Sequence, residues 1–160
     1  MDQISLLAAQ LGAQLKTLNA QVCTAESCTG GGIAEAITRV PGSSAWFEAG
    51  YVTYSNRQKT AQLGVPALLF DSVGAVSREV VEAMAQGACQ RSGAEYGVAV
   101  SGIAGPDGGS PHKPVGTVWL AFVGPEQLFS QCMQFAGDRE AVRRQTVCAA
   151  LEGLLQVTTK

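Results

Sequence analysis

Apolar residues recur every three or four positions over residues 4–18, and this spacing predicts an amphipathic helix. A shorter helix is predicted over residues 33–37. Three further helices are predicted to begin directly after Ser55, Ser77 and Asp138, because such side chains can accept a hydrogen bond from the first turn of a helix. The pattern therefore predicts five helices, spread along the whole chain.

Five short apolar or β-branched segments are predicted as strands: residues 21–26, 49–54, 96–101, 115–123 and 128–135. The last two flank a Gly-Pro-Glu-Gln turn and form a predicted hairpin. Strands alternate with helices early in the chain and the hairpin follows late, which is typical of an α/β fold. We interpret residues 1–160 as one domain, a three-layer α/β/α sandwich with a mixed, mainly parallel five-stranded sheet.

The composition argues against several classes of protein. Of the 160 residues, 46% are hydrophobic and 15% are charged, with 19 glycines and a net charge of -2. Proteins are on average roughly 25% charged, and this balance argues against a disordered chain and against a basic face for nucleic acid. Neither a membrane span nor a signal peptide is indicated. We therefore expect a cytoplasmic protein with no nucleic-acid or membrane partner.

The cysteines and the single histidine limit the possible chemistry. The five cysteines are odd in number, widely spaced and without a CxxC pair, which argues against a disulfide framework or a zinc site. His112 alone cannot build a multi-histidine metal site, and no acidic partner is placed for it. A Cys28 nucleophile would also lack a histidine partner. We expect no metal and no cofactor.

The first candidate site is the turn at residues 26–32, Glu-Ser-Cys-Thr-Gly-Gly-Gly, between a predicted strand and a predicted helix. Helix N-termini expose free N–H groups, and glycines let a ligand approach the backbone closely. Such a turn can bind a phosphate or form an oxyanion hole, with Ser27 as a nucleophile on it. The alternative is a tight turn with a capping hydroxyl. The segment lacks the Walker lysine, the GxGxxG spacing and the GxSxG elbow.

Three other segments carry candidate site residues. Tyr54 ends a predicted strand, and Lys59 lies one turn into the next helix, where burial would let it act as a base. The loop at residues 101–109 leaves the carboxyl end of a strand, where open α/β sheets bind ligands. Arg139 stands in the first turn of the last helix, where its charge is unfavourable, so a phosphate or carboxylate contact is expected. The alternatives are a sheet-edge tyrosine, solvated basic residues and an ordinary surface loop.

These segments belong to a longer series of motifs. In chain order they are TAESCTGG at 24–31, PGSS at 41–44, GYVTYSN at 50–56, Lys59, Gly64-Val65, GAVS at 74–77, VSGIAGP at 100–106, PVGTV at 114–118 and GDR at 137–139. In this order they resemble the CinA C-terminal domain family, the nicotinamide-nucleotide amidases, over residues 5–157. The length resembles that of the stand-alone members, since it leaves no room for the N-terminal molybdopterin-binding-like domain of longer members.

The resemblance implies hydrolysis of nicotinamide mononucleotide to nicotinic acid mononucleotide and ammonia, by an α/β/α enzyme that commonly forms a homodimer. By motif, Ser27 is the implied nucleophile, Lys59 the implied base, and Tyr54 and Arg139 belong to the site. Many members have threonine at the position of Ser101, which keeps the hydroxyl.

We therefore hypothesise that neutral Lys59 removes the Ser27 proton and that Ser27 attacks the carboxamide carbon, with Tyr54 assisting. The predicted substrate-binding residues are Thr29, Gly30, Gly31, Ser101, Gly102, Gly105 and Arg139. Arg139 is expected to hold the nucleotide phosphate, although the sequence leaves Arg143 as an alternative. Two other functions stay open at this point: a nucleotide-binding module without chemistry, and an amidase of another small carboxamide.

Overall fold

The computed structural model describes residues 2–159. Within that range the helices are α1 (Gln3–Leu18), α2 (Gly32–Thr38), α3 (Asn56–Leu63), α4 (Leu68–Ser72), α5 (Arg78–Ser92) and α6 (Arg139–Thr158). The strands are β1 (Val22–Glu26), β2 (Phe47–Val52), β3 (Tyr96–Gly102), β4 (Thr117–Gly124) and β5 (Gln127–Gln134), and a 3-10 turn covers Ser43–Ala45. The five predicted helices and five predicted strands are confirmed, whereas α4 and the 3-10 turn were not predicted. None of the helices within residues 2–159 is long and apolar enough to cross a membrane.

The sheet is mixed and runs in the order β2-β1-β3-β4-β5. β1 pairs in parallel with β2 and with β3, whereas β4 is antiparallel to both of its neighbours. Four strands therefore point the same way, which confirms the predicted mixed, mainly parallel sheet. Because β1, β2 and β3 are parallel, their carboxyl ends meet at one edge, the usual ligand-binding edge of an open α/β sheet.

Helices cover both faces of the sheet, which confirms the three-layer arrangement. On one face α1, α2 and α6 bury apolar side chains such as Leu11, Ile33 and Leu151 against the strands. On the other face α5 packs against β1, β3 and β4, and α3 packs against α5. Alternate strand residues serve the two cores, so β1 and β3 are buried on both sides and form nearly continuous apolar runs.

Side-chain caps determine where four helices begin, and Asp2 caps the first of them, α1. Ser55, Ser77 and Asp138 each accept a hydrogen bond from the N–H three residues later, as the sequence predicts. A cap of this kind typically contributes about 1 kcal/mol. The cap at Ser55 fixes the first turn of α3, which carries Lys59.

β4 begins two residues later than predicted, and the backbone explains the difference. Gly116 has a φ of +97°, a conformation that side chains disfavour. A Cβ at this position would also collide with the carbonyl of Phe135. The chain therefore turns at Gly116 and enters the sheet only at Thr117.

Candidate active site

Three parallel strands bring hydroxyl-bearing residues to one edge of the sheet. Glu26, the last residue of β1, is in register with the residue before Thr53 and with the residue before Ser101. The ladders continue one residue further, because Ser27 donates its N–H to the Val100 carbonyl at 3.2 Å. Likewise, Thr53 donates its N–H to the Glu26 carbonyl at 3.0 Å. Ser27 therefore stands between Thr53 on one side and Ser101 on the other.

Ser27 and Lys59 meet as the sequence predicts. The Lys59 Nζ lies 3.0 Å from the Ser27 Oγ and donates a second hydrogen bond, of 2.9 Å, to the Tyr54 carbonyl. Lys59 is only 1% exposed and Ser27 only 8%. Burial lowers the pKa of Lys59 from its ordinary value to about 8, because a low-dielectric setting disfavours the ammonium. The lowered pKa makes the neutral amine accessible from about pH 8, and a neutral amine beside a serine hydroxyl is what a Ser-Lys nucleophile requires.

Packing between α3 and α5 holds Lys59 in place. Gly87 of α5 has no side chain where α5 crosses α3, and a Cβ there would collide with the backbone carbonyl of Leu63. This close approach buries the inner face of α3, so that both Lys59 and Leu63 face the protein interior. The lysine is thus buried by packing, and the alternative of a solvated surface lysine is excluded.

The neighbouring thiol is poorly suited to be the nucleophile. All five cysteines are free, and Cys28 is 5% exposed. Burial raises the pKa of Cys28 to about 11, with a smaller contribution in the same direction from the charge of Glu26. The thiolate is the reactive form of cysteine, so this side chain stays protonated and unreactive near neutral pH.

Glu26 is a site residue whose role sequence reasoning missed. Its carboxylate is fully buried and accepts the N–H groups of Ile33 at 2.9 Å and Ala34 at 3.0 Å. The same carboxylate accepts the hydroxyl of Thr29. An anion of the protein itself thus occupies the N-terminus of α2, where the sequence allowed a substrate phosphate. The sequence showed an acidic residue six positions before the start of α2, but that separation is larger than the three residues of a capping motif.

The Glu26→Gln variant is expected to lose about 2–3 kcal/mol of folding stability, because a buried acceptor of several hydrogen bonds loses its charge. For a chain of this length that corresponds to a Tm lower by roughly 4–12 °C, measurable by thermal denaturation. Glu35→Gln, at an exposed side chain of the same helix paired with Arg39, is the matched control and should cost less than about 1 kcal/mol. Equal Tm values for the two variants would contradict this role of Glu26.

The turn after Ser27 uses its glycines for backbone shape. Gly30 and Gly31 have φ angles of +61° and +104°, a region that favours glycine. The Gly30 N–H donates to the Ser27 carbonyl at 3.0 Å, which leaves it committed within the turn. Among the described hydrogen bonds, the N–H groups of Cys28, Thr29 and Gly31 have no acceptor, which makes them candidates for an oxyanion site.

Tyr54, Arg139 and Gly105 form a chain of contacts across three segments. Arg139 donates from Nη1 to the Gly105 carbonyl at 2.9 Å and from Nη2 to the Tyr54 hydroxyl at 3.0 Å. These contacts explain a positive charge in the first turn of α6, which the sequence marked as unusual. Tyr54 itself is 59% exposed, so its ring lies at the rim of the site and its carbonyl inside.

The loop glycines have steric reasons to lack a side chain. A Cβ on Gly102 would lie 2.6 Å from Val118, and one on Gly105 would collide with Val115.

Arg143 approaches the other side of the site, where its Nη2 donates to the Thr29 carbonyl at 3.2 Å. Arg139 and Arg143, two of the three arginines of α6, therefore border the edge that holds Ser27.

An open cleft of about 450 Å³ lies beside Arg139 and is lined in part by Ala104, Pro106 and Val115. A larger cavity, of about 620 Å³, lies between the start of α1, β5 and α6 and contains none of the predicted site residues. His112 is exposed in the loop before β4 and takes part in none of the described side-chain hydrogen bonds. Cavity size alone would have pointed away from the Ser27–Lys59 pair.

Comparison with known proteins identifies the family of this chain. The model of the CinA C-terminal domain family matches residues 4–158. The chain belongs to this family. It is 72% identical to the nicotinamide-nucleotide amidohydrolase PncC of Pseudomonas putida, over the full length of both chains. It is 52% identical to the protein of the same name from Escherichia coli K12, covering 97% of this chain and 94% of the relative.

Solved structures in the CinA family share the fold. The competence/damage-inducible protein CihA of Agrobacterium tumefaciens is similar with a TM-score of 0.96 and 42% identity, covering 100% of this chain and 98% of the other. A CinA superfamily protein from Klebsiella pneumoniae gives a TM-score of 0.93 at 36% identity, covering 98% of each chain. The resemblance drawn from the sequence motifs is confirmed at the level of family and fold.

Proposed function

We propose that this CinA domain, residues 1–160, hydrolyses nicotinamide mononucleotide to nicotinic acid mononucleotide and ammonia. The observation that carries the proposal is the buried Ser27 Oγ at 3.0 Å from the Lys59 Nζ. The names of the relatives from Pseudomonas putida and Escherichia coli point to the same reaction. An amide bond is cleaved by a nucleophile, a base and an oxyanion site, and each has a candidate here.

In the first half-reaction, the Ser27 Oγ forms a bond to the carboxamide carbon while its proton passes to the neutral Lys59 amine. Amides of the turn that have no acceptor within it, such as those of Thr29 and Gly31, stabilise the negative charge on the carboxamide oxygen. The positive φ of Gly30 lets the chain present them. The C–N bond then breaks, and the proton held by Lys59 leaves with the nitrogen as ammonia.

In the second half-reaction, water attacks the acyl-enzyme. Water gives a proton to Lys59 and its oxygen bonds to the acyl carbon. The bond to Ser27 breaks, Lys59 returns the proton to the serine, and nicotinic acid mononucleotide is released. Tyr54 assists from beside the base, and Ser101, Gly102 and Gly105 complete the wall of the substrate site.

Arg139 is expected to hold the substrate phosphate, because its guanidinium lies at the rim beside the open cleft. Arg139→Ala should raise KM for nicotinamide mononucleotide about 10- to 100-fold, the size of one hydrogen bond between charged groups. It should change KM for nicotinamide riboside, which lacks the phosphate, by less than about 3-fold. Ammonia release from both substrates and from free nicotinamide is the measurement.

Arg143→Ala is the matched comparison in that assay. If it, rather than Arg139→Ala, removed the preference for the phosphorylated substrate, the phosphate would be assigned to the wrong arginine. If the wild type released ammonia faster from nicotinamide than from the mononucleotide, the substrate would be another small carboxamide. Tight nucleotide binding by calorimetry without any ammonia release would indicate a binding module instead.

We also propose that the enzyme acts in the cytoplasm as a homodimer, as the family resemblance implies. The five free cysteines suit a reducing compartment. Light scattering of the purified chain measures the oligomeric state directly.

A further inference from the structure

Thr53 carries a fully buried hydroxyl with no hydrogen-bond partner among the described residues. Leaving such a group unpaired in the protein interior is costly, and native proteins do so rarely. Because this hydroxyl lies beside the candidate active site, we expect it to form a hydrogen bond at some stage of the reaction. Thr24 has the same property one strand away and provides a comparison.

The sheet register places Thr53 beside the nucleophile. Thr53 and Ser27 each follow the last paired residue of β2 and β1, on adjacent strands about 4.8 Å apart. Side chains alternate along a strand, so Ser27 faces the side of Ala25, and Thr53 faces the side of Tyr51. Ala25 and Tyr51 both contact the core beneath α5. Both hydroxyls therefore project toward the layer from which Lys59 comes.

Lys59 reaches the space between these two strands. Its Nζ donates to the Ser27 Oγ after β1 and to the Tyr54 carbonyl, one residue past Thr53, after β2. An ammonium group has three protons to donate, and these two contacts use two of them. We propose that the Thr53 hydroxyl accepts the third proton when Lys59 is protonated, which makes Thr53 a positioning residue for the base.

The contact would matter most after proton transfer. Neutral Lys59 directs its lone pair at the Ser27 hydroxyl, and its two N–H protons make only uncharged hydrogen bonds. Once Lys59 has taken the serine proton, it has a third N–H to satisfy in a dry setting. A hydrogen bond from the charged ammonium is stronger than one from the neutral amine, and an interaction that strengthens as the reaction proceeds raises kcat and leaves substrate binding unchanged. The inference rests on the proposed roles of Ser27 and Lys59.

Cys28, on the turn after β1, is the ionisable group whose charge acts on Lys59. The other ionisable groups on neighbouring segments are Glu26 at the end of β1, Tyr54 with its partner Arg139, Arg57 in the first turn of α3, and Arg91 of α5, which contacts the Gln62 carbonyl. Replacing the Thr53 hydroxyl by a methyl group changes none of these charges. A change in the titration of Lys59 would therefore report the lost hydroxyl.

The test compares Thr53→Val, Thr53→Ser and the control Thr24→Val, each checked for folding by thermal denaturation. Thr53→Val should lower the pH-independent kcat for nicotinamide mononucleotide about 10- to 100-fold, as for the loss of one hydrogen bond to a charged group, with KM changed less than about 3-fold. The increase of kcat/KM with pH, which reports deprotonation of Lys59, should begin at a lower pH in Thr53→Val than in the wild type. Thr53→Ser should keep kcat within about 3-fold of the wild type, and Thr24→Val should match the wild type.

A second measurement does not depend on the substrate. The chain has four lysines, Lys16, Lys59, Lys113 and Lys160, so NMR of ¹³Cε-labelled lysine can follow the titration of Lys59 itself. In Thr53→Val the Lys59 signal should titrate at a pH lower by at least about 1 than in the wild type. If wild-type protein released no ammonia but this difference were present, the proposed function would fail and the Thr53 contact would stand. An unchanged Lys59 titration, or a Thr53→Ser variant as slow as Thr53→Val, would overturn the inference.

Discussion

The Ser27→Ala variant is expected to lose at least about 10³-fold in kcat for ammonia release from nicotinamide mononucleotide. Loss of one oxyanion donor commonly costs 10²–10³-fold, and loss of the nucleophile removes the covalent route altogether. The binding surface is left in place, because only one oxygen atom is removed. Substrate affinity measured by calorimetry should therefore stay within about 3-fold of the wild type.

Cys28→Ala is the matched control, since it truncates the adjacent buried side chain and leaves the proposed chemistry intact. Its kcat should stay within about 5-fold of the wild type. A thiol nucleophile would give the opposite pattern, with Cys28→Ala inactive and Ser27→Ala active. Full activity of purified Ser27→Ala would remove the serine from the mechanism.

The Lys59→Met variant is expected to be inactive and yet more heat-stable than the wild type at pH 7. General-base catalysis is typically worth about 10²–10⁴-fold, so kcat should fall by about that amount. Methionine fills a similar unbranched volume without placing a charge in a site that is 1% exposed. Each kcal/mol regained raises Tm by about 2–4 °C for a chain of this size. The measurement pairs the ammonia assay with thermal denaturation.

The titration of Lys59 determines how the Tm difference between Lys59→Met and the wild type changes with pH. Burial lowers the pKa of Lys59 to about 8 in the folded protein, whereas the unfolded chain keeps the ordinary value. The unfolded state therefore binds more protons between these values, and wild-type stability rises with pH from about 8 upward. The Tm advantage of Lys59→Met should be largest below pH 8 and shrink toward pH 10. Wild-type kcat/KM should rise with an apparent pKa near 8, and a flat profile would exclude a neutral lysine base.

Local signals predicted most of the helices. Ser55, Ser77 and Asp138 marked helix starts because a cap depends on residues only three positions apart. The short helix α4 was missed because five residues are too few to show a helical period: Leu69 and Phe70 pack against the core, whereas Leu68 is 70% exposed. The order of the strands could not be predicted from the sequence, since it depends on packing between segments far apart in the chain.

Some residues of the candidate site could likewise be predicted from local sequence, and others could not. The Ser27–Lys59 pair was predictable because the chain offers no histidine partner for a hydroxyl on a glycine-rich turn, and Arg139 was marked by its unfavourable place in a helix. Glu26 and Thr53 were not, because their roles depend on which groups the fold brings beside them. The carboxylate had to meet α2, and the Thr53 hydroxyl had to come into register with β1.

The bridge from Arg139 to Gly105 and Tyr54 has a consequence for how the enzyme is made. The proposed nucleophile and base lie within the first 59 residues, whereas the guanidinium that joins the rim belongs to residue 139. A growing chain that has passed residue 59 but not residue 139 carries both proposed reacting groups and lacks the contact that joins Gly105 to Tyr54. On the proposed mechanism, the reacting pair is therefore synthesised well before the rim of the substrate site is complete.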